Sequence, residues 1–181
     1  MLFRSETTPV RLIPLKLYIS AQNGRQHLLA FCEDTNCFRS YRLDYLANIR
    51  LEDTVCKNFD TLRTDLQNAE AHIWGVNCKS DLRQTEHVEF EIYVAEEEGF
   101  ILRRLEREKR CGRIEQCDEH HYRYIADVFD TVELLPWIRT FLSRITSLNF
   151  SNKIAEQRFR ADILEMYRMY GIDGGDEHDF Q

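Results

Sequence analysis

The chemistry written most densely into this sequence is that of guanidinium groups carried on short apolar strands. Between positions 9 and 50 stand Arg11, Lys16, Arg25, Arg39, Arg42 and Arg50 against Glu33, Asp34 and Asp44, a net of +3 in a chain whose total is -7. Because Arg4 and Glu6 cancel, residues 51–181 carry -10. A guanidinium offers a planar fork of donors that matches two oxygens of a phosphate or carboxylate, which an ammonium cannot do. Arg39 and Arg42, on one predicted strand, can bind an anionic ligand in this way, with surface ion pairing as the ordinary alternative. Three positions apart, they point to opposite faces of a regular strand, so a shared pocket requires a bulge or strong curvature. Arg25 and Lys16 suit solvated charges better than ligand contacts, and Arg11 opens the same basic stretch. His27 supplies a planar polar ring that can donate to an anion or stack on a base, although a single strand histidine is ordinarily a satisfied structural residue. Tyr41 and Phe38 are possible stacking platforms, but aromatic strand residues mostly fill cores.

Other clusters are less productive. His120-His121 with Cys117 and Asp118 holds metal-ligating atoms, yet adjacent strand side chains diverge and the spacing matches no zinc pattern, so a polar turn is the better account. Glu96-Glu97-Glu98 reads as acids favourable to a helix dipole rather than a catalytic set. Arg103, Arg104, Arg107, Lys109 and Arg110 form a cationic helix end, a solvated face first and a surface for a partner subunit or nucleic acid second. The six cysteines have no C-x-x-C spacing, which argues against a zinc site or a disulfide framework and for reduced, cytoplasmic thiols. Cys32 and Cys37 flank a turn and can face each other, an arrangement read here as packing rather than redox chemistry. No nucleophile with a spaced base, phosphate loop or metal cluster occurs, so no catalytic residue, metal or cofactor is expected and the chain reads as a non-enzyme.

The basic stretch needs strands to present it. Arg11 to Ile19 runs to Asn23-Gly24, the dipeptide best suited to a type I′ hairpin turn. Arg25 to Phe31 and Phe38 to Leu43 follow across a second turn, giving a curled three-stranded meander. Leu43 to Leu51 predicts a turn and a short strand, with Leu46, Ile49 and Leu51 buried. Phe59, Leu62 and Leu66 are spaced for a short helix within 55–71. Lys79 to Glu86 is charged and aperiodic and reads as a linker.

From His87 the pattern becomes regular. Val88, Phe90, Ile92 and Val94 alternate as a half-buried strand, and 96–109 predicts a helix carrying Phe100, Ile101, Leu102 and Leu105, stopped at Gly112. Two strands follow at 113–116 and 122–128. Asp130 suits the cap of a short lead-in turn, and a helix starts near Pro136 with Trp137, Ile138, Phe141 and Leu142 apolar. A strand at 145–150 and a helix at 151–170 end the ordered chain. The first six of these elements have the split β-α-β order of a ferredoxin-like sandwich. The acidic, glycine-bearing tail 173–181 reads as disordered.

Composition sets the outer bounds. An apolar content of 43% with 12% aromatics is enough for real cores in 181 residues. The overall charge argues against a non-specific nucleic-acid coat protein, and no run approaches the roughly 18 apolar residues of a membrane span. The polar lead 1–9 enters a strand directly, which suits a piece of a longer chain.

Taken as text, Arg11-Leu-Ile-Pro14-Leu-Lys-Leu, Gly24-Arg25-Gln26-His27-Leu28-Leu29-Ala30-Phe31 and Phe38-Arg39-Ser40-Tyr41-Arg42-Leu43-Asp44 resemble the WYL domain of bacterial transcription regulators. The later half, with Pro136-Trp137-Ile138-Arg139-Thr140-Phe141 and a closing helix, resembles the WCX extension that follows it there. The resemblance spans nearly the whole chain. It implies an α+β protein: a small Sm-like β-barrel over 1–80 followed by a ferredoxin-like α/β sandwich over 86–172. It also implies an effector-sensing fragment, attached in such regulators to a winged helix-turn-helix that alone would contact a DNA operator. The tryptophan and tyrosine of the family triplet fall here at Gln26 and His27, leaving Leu28, and the usual arginine after Leu43-Asp44 is Tyr45.

These readings combine into one expectation. The chain is a homodimeric, cytoplasmic sensor that takes a nucleotide or single-stranded nucleic acid on Arg39, Arg42, His27, Tyr41, Arg25 and Arg11. The alternatives are a protein-interaction module without a small ligand and, third, a small nucleotide hydrolase.

Overall fold

The computed structural model describes residues 9–20, 23–78 and 84–171. They fall into two units: Met1–Thr85 with Arg110–Gly112 and Asp127–Asp130, and Glu86–Lys109 with Arg113–Ala126 and Thr131–Gln181. The architecture is mixed α+β, with one antiparallel sheet of three strands and one of four.

In the first unit β1 (Leu12–Ile19), β2 (Gln26–Cys32) and β3 (Cys37–Arg42) form a meander in that order. The β1–β2 register shifts between Pro14 and Lys16, where proline has no N–H to give the ladder. The first turn departs from the type I′ expectation. Ser20 N donates to Arg25 O and Gly24 N to Ser20 O, both at 2.8 Å, so the loop is longer than two residues. Gly24 has positive φ, at 67°, and the Asn23 side chain accepts from Arg25 N at 3.0 Å.

After β3 a short 3-10 turn occupies Leu43–Tyr45, and the strand expected by Leu51 is not formed. Asn48 has φ 55°, which breaks the extended chain, and Ile49 and Leu51 are 79% and 95% exposed instead of buried. Without that strand the sheet does not curl back on itself. The expected closed barrel is therefore corrected to an open sheet, one face of which is covered by α1 (Phe59–Ala69). Leu62, Leu66 and Ala69 on α1 join Ile13, Leu29 and Phe38 in a core that also takes in Ile73 and Phe129. Phe59, in the first turn of the helix, stays largely outside it at 38% exposure. Of the expected linker, 79–83 lies outside the described residues, as does the tail 173–181.

The second unit runs β4 (Glu86–Tyr93), α2 (Gly99–Glu108), β5 (Arg113–Gln116), β6 (His121–Val128), α3 (Leu135–Ile138), β7 (Ile145–Phe150) and α4 (Lys153–Met169). Its sheet order is β5-β6-β4-β7. Alternation on β4 is realised as expected: Val88, Phe90 and Ile92 are buried and Tyr93 is exposed. On α2 Ile101 and Leu105 are buried, whereas Phe100 is 53% exposed. The helix foreseen from Pro136 is a single α turn that tightens into a 3-10 segment, Arg139–Arg144. Thr140 Oγ1 donates to Trp137 O at 2.7 Å, a side-chain competitor for a carbonyl that a longer α-helix would use. Asn152 caps α4 by accepting from Ala155 N, and Gly171 follows with φ 62°. No helix among the described residues is long and apolar enough to cross a membrane.

Candidate ligand-binding face

Pairing between β2 and β3 is continuous from His27↔Arg42 to Cys32↔Cys37. No bulge falls between Arg39 and Arg42, so the two arginines occupy opposite faces and do not share a pocket. The faces differ in kind. One carries Ile13, Leu29, Phe31 and Phe38 toward α1, with His27, Ser40 and Arg42 at its open end. The other is built of cross-strand rows: Leu12, Cys32 and Cys37; then Pro14, Ala30 and Arg39; then Leu17, Leu28 and Tyr41.

On the α1 side, Arg42 is already occupied. Its Nε donates to Asp44 Oδ1 at 3.0 Å, its Nη2 bonds Asp44 Oδ2, and its Nη1 donates to the Tyr45 hydroxyl at 2.9 Å. The guanidinium carbon also lies 4.0 Å from the Tyr45 ring centroid. Hydrogen bonding from Arg42 holds the Asp44 carboxyl below the ordinary carboxylate range. Tyr45, at the position where the resembling family has arginine, therefore completes a clamp on Arg42. His27 pairs with Arg42 in register, and its Nδ1 lies 3.3 Å from Ser40 Oγ. Arg25 enters this neighbourhood through its charge on Asp44 but contributes no side-chain hydrogen bond there.

Across the sheet, Arg39 is exposed and has no carboxylate partner among the described residues; its guanidinium stands near the Cys37 thiol, one row away on the same face. Tyr41 lies on the same face as the buried Ala30 and Cys32, near the Cys32 thiol. Burial first, and the nearby Cys32 thiol second, push the Tyr41 phenol up to about 12. Leu17 and Ile19 on β1 are 65% and 70% exposed, so this face presents apolar surface beside an uncompensated guanidinium. Arg11 sits at the far end of β1, where its N donates to Asp34 Oδ2 at 2.8 Å and its Nε is 3.5 Å from Glu52 Oε1. The six candidate residues are thus divided: Arg39 with Tyr41, Arg42 with His27 and Arg25, and Arg11 apart.

Phe38 belongs to the core, at 6% exposure. Lys16 is tied to Glu70 at 2.5 Å, alongside Tyr18. Asp118 accepts from the amides of His120 and His121 and from His121 Nδ1, forming a closed polar turn. No group of three or more His, Cys, Asp or Glu converges for a metal among the described residues. The cationic end of α2 is largely paired through Arg104–Glu108 and Lys109–Glu106.

Sequence reasoning passed over the exposure of Leu17 and Ile19. Their signal was available only through the proline bulge, which resets the side-chain alternation of β1. Compared with known proteins, the chain matches no family model and no curated protein.

Proposed function

We propose that the chain is the effector-sensing part of a transcription regulator of the WYL–WCX kind, and that the Arg39 face of its first sheet takes an anionic ligand with planar bases, a nucleotide or short single strand. The observation that carries the reading is the row geometry: an exposed guanidinium with no carboxylate partner among the described residues stands beside Tyr41, Leu28 and Leu17. Stacking or apolar contact for bases next to a cation for phosphate is the chemistry that single-strand recognition uses. Arg42 and His27 form a second polar corner, open to an anion only when the anion displaces Asp44. In the fold assignment that accompanies this proposal, the first unit is an opened relative of an Sm-like sheet. The second is a ferredoxin-like sandwich, supported by the order β4-α2-β5-β6-α3-β7 and by the placement of β4 and β6 at the centre of their sheet. Binding would act by differing affinity for two arrangements of a homodimeric regulator, with operator contact made by a helix-turn-helix. The setting is the cytoplasm, without cofactor or turnover.

Fluorescence anisotropy with labelled single-stranded oligonucleotides tests this across a salt series. Arg39→Ala is expected to weaken binding by at least about tenfold, one charge-assisted contact being worth roughly 1.5–3 kcal/mol. It should also flatten the logarithmic salt slope by about 0.7, the share of one phosphate contact on a single strand. Arg42→Ala should have the smaller effect. Equal affinities for wild type and Arg39→Ala would reject the assignment. The exposed Leu17 and Ile19 favour a second reading, a protein-interaction face. Under it, oligonucleotides fail to bind and Leu17→Asp disrupts self-association measured by light scattering.

A further inference from the structure

Cys32 and Cys37 are directly opposite each other in the β2–β3 ladder, and both are unbridged thiols. Paired residues of an antiparallel ladder hold their Cα atoms about 4.5 or 5.5 Å apart, with side chains on the same face, and both separations lie in the range a disulfide spans. Their sulfurs share polar neighbours. Thr35 Oγ1, in the connecting turn, lies 3.1 Å from Cys37 Sγ and stands near the Cys32 thiol as well. Arg39 stands in the neighbouring row, near Cys37, and Tyr41 in the row beyond it on the same face.

We propose that Cys32 and Cys37 are a modification site, a cross-strand dithiol that hydroperoxides oxidise to an intramolecular disulfide. The inference is independent of what the face binds. The Thr35 hydroxyl, whose oxygen is 3.1 Å from Cys37 Sγ, also lowers the Cys32 thiol below its ordinary range. In the proposed step Cys37, directly opposite in register, is the resolving sulfur and Cys32 the attacking one. Its thiolate takes the distal oxygen of hydrogen peroxide as the O–O bond breaks, and the departing hydroxide is protonated to water. Cys37 then attacks the Cys32 sulfenic acid, the S–O bond breaks, a second water leaves with the Cys37 proton, and the S–S bond forms. Two thiols lose two electrons and the peroxide is reduced to two waters. Access comes at the hairpin tip, where residues 33–36 are exposed and local opening is inexpensive.

The test needs only the full chain, hydrogen peroxide and peptide mass spectrometry. Cleavage after Arg25 and Arg39 leaves both cysteines on one peptide, Gln26 to Arg39. After peroxide and alkylation this peptide is expected to carry no alkyl groups and to have lost two hydrogens, about 2 Da, with dithiothreitol restoring both sites. In Cys37→Ser the Cys32 sulfenic acid should accumulate and be trapped by dimedone. A wild-type peptide that remains doubly alkylated at peroxide levels that oxidise the exposed Cys117 would overturn the proposal. So would exclusive pairing of Cys32 or Cys37 with another cysteine.

Discussion

Phe90→Ala is expected to destabilise the protein by about 3–5 kcal/mol, the range for removing a buried phenylalanine without refilling its space. Phe90 is 1% exposed at the centre of β4, with ring centroids of Tyr124 and Trp137 at 5.1 and 5.8 Å. Trp137 in turn meets Tyr124 and Phe141 edge-on, so the cavity would open beside three interlocked rings, where small side-chain shifts cannot close it. Phe100→Ala is the matched control. Its ring is 53% exposed on α2, and its loss should change stability by less than about 0.5 kcal/mol. Urea denaturation followed by tryptophan fluorescence distinguishes them, because Trp137 reports on the site of the larger change. Equal midpoints for the two variants would refute the assigned packing of β4.

The second large effect falls on Glu156, a carboxylate with 9% exposure at the start of α4. Burial opposes its ionisation, but the Lys153 ammonium at 2.9 Å, the Phe150 amide at 3.2 Å and Arg160 at 3.0 Å together outweigh it and hold the carboxyl below its usual range. Glu156→Ala should cost about 1–3 kcal/mol near neutral pH, since it removes these bonds and leaves the buried Phe150 N–H without its partner. The pH dependence has a definite sign. A depressed folded pKa stabilises fully above the unfolded value, about 4.3 for glutamate, and the contribution disappears as pH falls through the folded value. The gap between wild type and Glu156→Ala should therefore narrow on acidification below about pH 4.3, with Glu156→Gln intermediate at pH 7. Thermal melts across that range measure it; a gap that widens toward acid would contradict the ion cluster.

How much of this was legible beforehand follows from the range of the interactions involved. The elements of the 86–171 region were well forecast because their signals are local: alternation on β4 and glycines where chains reverse, although the Asn152 cap of α4 was not singled out. Its short α3 was not, since the preference for a 3-10 continuation depends on where the Thr140 hydroxyl finds a carbonyl. In the first unit the errors have a common source. Ile49 and Leu51 look like strand residues, but a strand exists only with an edge to pair with, and Asn48 turns the chain away from it. The division of Arg39 from Arg42 was readable from strand parity, whereas the Asp44–Tyr45 clamp on Arg42 depends on a 3-10 turn that no periodicity announces. That Cys32 and Cys37 can face each other across a turn is legible in the sequence; that they pair directly in register, on the face of Arg39 and Tyr41, is set by the ladder.

The functional proposal depends on which face of one sheet meets the ligand. Amide chemical-shift mapping of the full chain, titrated with a short single-stranded oligonucleotide, reads this directly. The account predicts perturbations concentrated at Leu17, Leu28, Arg39 and Tyr41. Perturbations confined to His27, Ser40 and Arg42, or none at saturating oligonucleotide, would contradict it.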